Sequence, residues 1–184
     1  IAASNQLDEY VIRSLKDQNG PIDVFGVGTN LVIGKPDAAL DGVYKLAFAN
    51  GKPRIKLSEN LTKLTLPHKK QVYRIRNDKG ELIGADVITL REESEVKQMH
   101  HPFDRSKSLQ FSNCSAEPLL TKVMENGKRL SKAKTLSEIK SYSEKRLSEL
   151  TDEFLRFENP HIYKIGISDR LLEERERLRN HYKN

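Results

Sequence analysis

The order of elements at the start of the chain constrains its fold most. Ile1-Ala2-Ala3 is a short apolar strand, and Leu7, Val11, Ile12 and Leu15 recur at near i, i+4, i+8 spacing as one face of a helix. Asn19-Gly20-Pro21 ends that helix, and Ile22 to Phe25 forms a second strand that runs into Gly26-Val27-Gly28-Thr29-Asn30. Ser4 and Asn5 suit the helix start, with Asp8 and Glu9 near its positive end. Strands joined through a helix pair in parallel by a right-handed crossover, as in open α/β sheets and (β/α)8 barrels. Two such units cannot close a barrel, so further strands are expected elsewhere. A chain that opens on a strand at Ile1 rather than Met reads as a piece of a longer one.

Beyond Gly42 the texture becomes β. Val43 to Phe48, Arg54 to Leu57, Gln71 to Arg76 and Leu82 to Leu90 alternate with turn signals, and Asn50-Gly51 and Asp78-Lys79-Gly80 predict hairpins. Residues 91–110 are polar and predict a surface loop, or a short helix with a loop. Glu125-Asn126-Gly127-Lys128 predicts another hairpin turn. Thr135 with Glu138 forms a capping box ahead of Leu136, Ile139, Tyr142, Leu147 and Leu150, and Asn159-Pro160 stops that helix. A last helix is predicted from Ser168, with Leu171, Leu172, Arg175 and Leu178 inward.

The 184 residues, 36% of them hydrophobic, can bury a core. A net charge of +6 suits a protein that handles anions, whether phosphates, nucleic acid or an acidic surface. Cys114 is the only cysteine and no Cys/His spacing matches a zinc site, which points to a reducing compartment. No apolar run approaches the ~20 residues that cross a bilayer, and the first residues lack the regions of a signal peptide, so neither membrane nor export is expected.

Chemistry concentrates at two loops. Glycines after a strand let backbone N–H groups approach an anion, and Thr29 adds a hydroxyl donor. Gly-x-Gly-Thr alone is more often a plain turn, and Ser4-Asn5 alone more often a helix cap. Parallel strands bring both loops to one edge, where barrel enzymes bind phosphate. His100-His101-Pro102 and His68-Lys69-Lys70 lack a third metal ligand and read as surface histidines and solvated lysines. Lys122, Lys128, Arg129, Lys132 and Lys134 could meet nucleic-acid phosphates, but without interleaved aromatics they read as a solvated face. No nucleophile–base pair or carboxylate pair stands out.

Several ordered blocks carry a resemblance. Ile1-Ala2-Ala3-Ser4-Asn5-Gln6-Leu7-Asp8-Glu9, Val24-Phe25-Gly26-Val27-Gly28-Thr29, Gly42-Val43-Tyr44-Lys45-Leu46 and Ile55-Lys56-Leu57-Ser58 open the series. Lys69-Lys70-Gln71-Val72-Tyr73-Arg74, His101-Pro102, Pro118-Leu119-Leu120, Asn126-Gly127-Lys128 and Asn159-Pro160-His161 continue it. Together they resemble the C-terminal portion of the nicotinate phosphoribosyltransferases along nearly the whole chain.

With the residue patterns, this implies an α/β plus β architecture. The last β/α units of a type II phosphoribosyltransferase (β/α)8 barrel fill residues 1–41, a mostly antiparallel β domain 42–130, and C-terminal helices 131–184. The implied reaction joins nicotinate to 5-phosphoribosyl 1-diphosphate, forming nicotinate mononucleotide for NAD synthesis with ATP hydrolysis, in the cytoplasm. Gly28 and Thr29, with the backbone of Val27, inherit the role of binding the 5-phosphate, and Ser4 and Asn5 line the same pocket. Gln6 departs from the acidic or small polar residue expected there. The family's phosphorylated histidine, its nicotinate-gripping aromatic and arginine, and its acidic loop for ribose and magnesium all lie upstream. This stretch is therefore expected to hold no catalytic residue and to bind neither ATP nor Mg by itself. It would work with the N-terminal portion, as a homodimer, without nucleic acid or membrane. The rival expectations are a stand-alone anion- or nucleic-acid-binding module and a purely structural or assembly domain.

Overall fold

The computed structural model describes residues 1–39, 42–60 and 63–183 and divides into two compact units, Ile1–Tyr44 and Lys45–Asn184. Residue 41, where the first segment was expected to end, lies outside the described residues.

In the first unit, β1 (Ala2–Ser4), α1 (Glu9–Asp17), β2 (Val24–Gly26) and α2 (Thr29–Val32) follow in the expected order. β1 and β2 pair in parallel, with Ala2 opposite Val24, Ala3 opposite Phe25 and Ser4 opposite Gly26. The cap of α1 differs from expectation: it is Asp8, whose carboxylate accepts the N–H of Val11 at 2.9 Å. Ser4 and Asn5 are thereby released from capping and stay at the strand end. Asn5 and Gln6 turn the chain through the left-handed region, at φ 83° and 52°.

The second unit begins with a small hairpin, β3 (Phe48–Ala49) and β4 (Lys52–Pro53), around Asn50-Gly51. The strands expected over Val43 to Phe48 and Arg54 to Leu57 shrink to these pairs. The flanking backbone is held instead by single bonds, such as those from Arg54 and His68 N–H to the carbonyl of Ala47. Then follow β5 (Lys70–Arg76), β6 (Leu82–Leu90), β7 (Gln98–His100), β8 (Ser108–Gln110) and β9 (Ser115–Pro118). The hairpin β10 (Met124–Glu125) and β11 (Lys128–Arg129), the helices α3 (Leu136–Ser148) and α4 (Asp152–Leu155), β12 (Lys164–Ile167) and α5 (Asp169–Lys183) complete the chain.

Six strands form one mixed sheet in the order β8-β7-β12-β6-β5-β9. Residues 91–110, expected as loop, supply β7 and β8. The C-terminal stretch, expected as helices, supplies β12, which enters the sheet between β7 and β6 and runs parallel to β6. A four-residue strand flanked by helices has too little local pattern to announce itself, and its pairing exists only in the assembled sheet.

β6 is buried on both faces, as a central strand with a near-continuous apolar run should be. Ala85 and Val87 join Ile75 and Met99 on one side, covered by Val96, Leu109 and Phe111. On the other side Ile88 and Leu90 meet Ile167 and, from α5, Leu171 and Leu172. α5 starts where Ser168 caps the N–H of Leu171, and the Ser168 hydroxyl donates to Glu93 Oε2 at 2.8 Å.

Next to this apolar patch β6 carries a buried carboxylate. Asp86, 7% exposed, receives Nε and Nη2 of Arg74 at 3.1 and 3.0 Å and the Tyr163 hydroxyl at 2.8 Å. Beside it Gly84, at φ 71°, lets the Phe154 ring of α4 approach so closely that an added Cβ would lie 2.0 Å from Cζ. Gly84 sits where the β5–β6 register shifts between Arg74 and Arg76. Arg76 bonds Glu117 and Glu149, and Arg146 bonds the same two carboxylates, fastening the end of α3 to β5 and β9. α3 carries the expected capping box of Thr135 and Glu138 but buries no residue, and Leu136 at its start is 86% exposed.

Gly84→Ala is expected to cost roughly 2–5 kcal/mol, from the left-handed backbone plus overpacking against Phe154; an unchanged urea midpoint would show that the ring is not seated there. Burial and the bond to Asp86 push the Tyr163 phenol up to about 12. The folded state thus favours the protonated phenol, so the stability it adds is complete below pH ~10 and is lost as pH rises through about 12. Tyr163→Phe is expected to lower stability by about 1–2 kcal/mol at neutral pH and to remove that part of the alkaline loss, read from unfolding midpoints between neutral and strongly alkaline pH.

Candidate functional site

The parallel register of β1 and β2 sets Ser4 against Gly26, so the segments after both strands leave from the same end. A Cβ at Gly26 would stand 3.3 Å from the Ser4 Cβ, so any side chain there would press on the neighbouring strand. Beyond it, Gly28 caps the single turn of α2, accepting the N–H groups of Leu31 and Val32 at 3.1 and 3.0 Å. A Cβ added at Gly28 would meet nothing within 4 Å, so the loop is open on that side. The first N–H groups of any helical turn lack partners within it and suit an anion.

Of the residues singled out in the sequence, Ser4, Asn5, Gly28 and Thr29 are exposed and Val27 is half-buried. All five belong to the two loops that β1 and β2 bring to one end. Asn30 was not singled out, and it joins the loops: its Nδ2 donates to the carbonyl of Leu7 at 3.0 Å and reaches that of Gln6 at 3.4 Å. Leu7, buried, anchors the first loop from below. An asparagine after a glycine turn reads as ordinary loop composition, so no sequence signal marked its amide as a clamp. Gln6 contributes its carbonyl here. Behind the loops Asp8, Glu9, Val27, Asn30 and Lys35 border a cleft of ≈300 Å³ between α1 and α2. Two carboxylates against one ammonium make that cleft a poor place for a phosphate.

The other sequence candidates have local partners. His68 Nε2 meets Glu174 at 2.8 Å, His100 Nε2 meets Asp169 at 2.5 Å, and His101 Nδ1 accepts the N–H groups of Phe103 and Asp104. Lys70, expected to be solvated, is half-buried and donates to the carbonyls of Leu66, Pro67 and His68, and burial lowers its pKa. Lys128 and Arg129 lie on the exposed β10–β11 hairpin, Lys122 pairs with Glu125, and Lys134 stacks 5.1 Å above the Tyr142 ring. Among the described residues no three His, Cys, Asp or Glu side chains converge as metal ligands, and no helix is long and apolar enough to cross a membrane.

Known proteins resemble this chain in sequence and in fold. The family model described as the nicotinate phosphoribosyltransferase C-terminal domain matches residues 69–175. The nicotinate phosphoribosyltransferase of Caenorhabditis elegans is 38% identical over 177 residues, covering 93% of this chain and 31% of that protein. That of Bacillus subtilis (strain 168) is 36% identical, covering 92% of this chain and 36% of its own. The crystal structure of human nicotinic acid phosphoribosyltransferase superposes with a TM-score of 0.70 at 26% identity, over 97% of this chain and 32% of that one. The chain thus spans about a third of the length of the curated relatives it matches. On a family match over more than half its residues, reinforced by likeness along nearly all of them, this chain belongs to the nicotinate phosphoribosyltransferase family.

Proposed function

We propose that this chain is the C-terminal portion of an enzyme that joins nicotinate to 5-phosphoribosyl 1-diphosphate, releasing diphosphate and forming nicotinate mononucleotide in NAD biosynthesis. Its part is to hold the 5-phosphate of the ribosyl substrate. The observation that carries this reading is the pairing of Ser4 with Gly26, which joins the Ser4-Asn5 and Val27-Gly28-Thr29 loops at one strand end, with Asn30 clamping them together.

The chemistry required of these residues is modest. Backbone N–H groups of the Val27-Gly28-Thr29 loop and the Thr29 and Ser4 hydroxyls donate to phosphate oxygens, and the Asn5 amide lines the same cradle. An anchored 5-phosphate fixes the orientation of the ribose, so the reacting carbon meets its nucleophile without a further loss of rotational freedom. Donors that stabilise the departing diphosphate and the developing positive charge on the ribose act at the reacting centre. We assign those groups, the ATP-dependent step and magnesium to the N-terminal portion. The β1-α1-β2-α2 segment would then be the end of the barrel. A homodimer in the cytoplasm is the expected form, with neither nucleic acid nor membrane as partner.

Two substitutions in the full-length enzyme test this. Thr29→Val is expected to weaken the ribosyl substrate by about 1–3 kcal/mol through a lost hydrogen bond to a charged group; equal KM values for wild type and variant would remove Thr29 from the site. Asn30→Ala is expected to raise the same KM about threefold to tenfold by loosening the two loops, with little change in the KM for nicotinate. Kinetics with both substrates varied would expose a uniform loss, which would point to unfolding rather than to the clamp. Nicotinate mononucleotide formation by this chain alone would overturn the assignment of catalytic groups to the N-terminal portion.

A further inference from the structure

In the second unit three arginines converge on one carboxylate of α5. Glu176 Oε1 lies 3.1 Å from both Nε and Nη2 of Arg175, and its Oε2 lies 2.6 Å from Arg105 Nη2 and 3.3 Å from Arg179 Nη1. Arg175 is 5% exposed and fixed from behind by donating Nη1 to the carbonyl of Pro102 at 2.6 Å. Burial alone would raise the Glu176 pKa, yet Arg105, Arg175 and Arg179 bring it below the ordinary carboxylate value, so the group is ionised. One negative charge against three guanidinium groups leaves two positive charges in surplus. Among the described residues Arg105 and Arg179 have no other partner, so each keeps N–H donors for something else.

These arginines also face space. Arg105, Arg175 and Arg179, together with Glu176, border a cavity of ≈40 Å³ lined also by Leu64, Pro102 and Phe103, and Arg179 borders a larger cleft of ≈290 Å³ with Leu57, Ser58, Glu59 and Leu64. If the cluster served only to hold α5 down, one guanidinium per carboxylate would suffice, as in the ring of Arg76, Arg146, Glu117 and Glu149. A fork of planar guanidinium groups matches the oxygens of a tetrahedral dianion, and two charges are what would neutralise the surplus. A carboxylate would leave one charge unmatched.

We propose that Arg105, Arg175 and Arg179 form a phosphate-binding site that shares no residue with the Gly-x-Gly-Thr loop. In it the phosphate takes over guanidinium donors that Glu176 now holds. The ligand is inorganic phosphate or the phosphate group of a small monoester, since both present the same oxygens. Glu176 is the competing internal anion and keeps the arginines gathered.

The test is hydrogen exchange on the full-length protein, followed at the backbone amides of residues 101–106 and 169–180, so that phosphate held elsewhere does not confuse the reading. Inorganic phosphate is expected to slow exchange there in a saturable way, while chloride at the same ionic strength does not. Arg105→Gln with Arg179→Gln should raise the half-saturating concentration about tenfold. Glu176→Gln should lower it, because the competing carboxylate is gone; a merely structural cluster would give no such gain. Ribose 5-phosphate, titrated in parallel, distinguishes the sources: the compound that protects at the lower concentration is the better fit. No protection, equal protection by chloride, or a half-saturation indifferent to all three substitutions would overturn the proposal.

Discussion

The buried carboxylate of Asp86 is the constraint around which the second unit is arranged. A charge this far from water is tolerable only with its full set of donors, and these come from separate parts of the chain: Arg74 on β5 and Tyr163 just before β12. Satisfying Asp86 therefore draws the chain after α4 back over the sheet, and that return delivers Lys164–Ile167 to the slot beside β6. Phe154 on Gly84, with its ring centroid 5.6 Å from that of Tyr163, fills the space next to the carboxylate. α5 begins immediately after β12 and covers the other end of the same face through Leu171 and Leu172.

A chain of this kind divides its labour between two units of different texture. The first makes little core of its own: among the described residues Leu7 is its one buried apolar side chain, and what it supplies is a parallel strand pair with open loops. The second holds nearly all the buried apolar side chains and the dense ion pairs. Loops that accept a ligand need exposed, unsatisfied donors, and a core needs the opposite. The two arginine groups of the second unit show the same contrast on a smaller scale. The four-membered ring at Arg76 balances its charges, whereas the cluster at Glu176 does not.

Much of the candidate site was legible from residue order alone. A strand, a helix, a strand and Gly26-Val27-Gly28-Thr29 leave few ways to arrange the backbone, because crossover handedness and parallel pairing are general properties of L-amino-acid chains. That the segments after Ser4 and after Gly26 leave from the same strand end could be read from residue order. The role of Asn30 could not, because its amide acts through the carbonyls of Leu7 and Gln6, and the composition of a loop does not reveal where its backbone carbonyls point. The capping residue of α1 was also ambiguous: Ser4, Asn5 and Asp8 all have the right side chain, and only the left-handed turn at Asn5 and Gln6 decides for Asp8.

By itself the sequence determined the elements whose signals are local: α1, the hairpins at Asn50-Gly51 and Asn126-Gly127, the antiparallel pair β5–β6, the capping box at Thr135 and the helix that starts after Ser168. Only the tertiary structure decided that 91–110 contributes two strands, that Lys164–Ile167 lies inside the sheet and parallel to β6, and that Arg105 meets Arg175 and Arg179 around Glu176. The physical reason is range. Caps, turns and amphipathic faces are settled by residues a few positions apart, whereas a short inserted strand or a shared carboxylate is stabilised by partners distant along the chain, and those partners meet only when the whole sheet has formed.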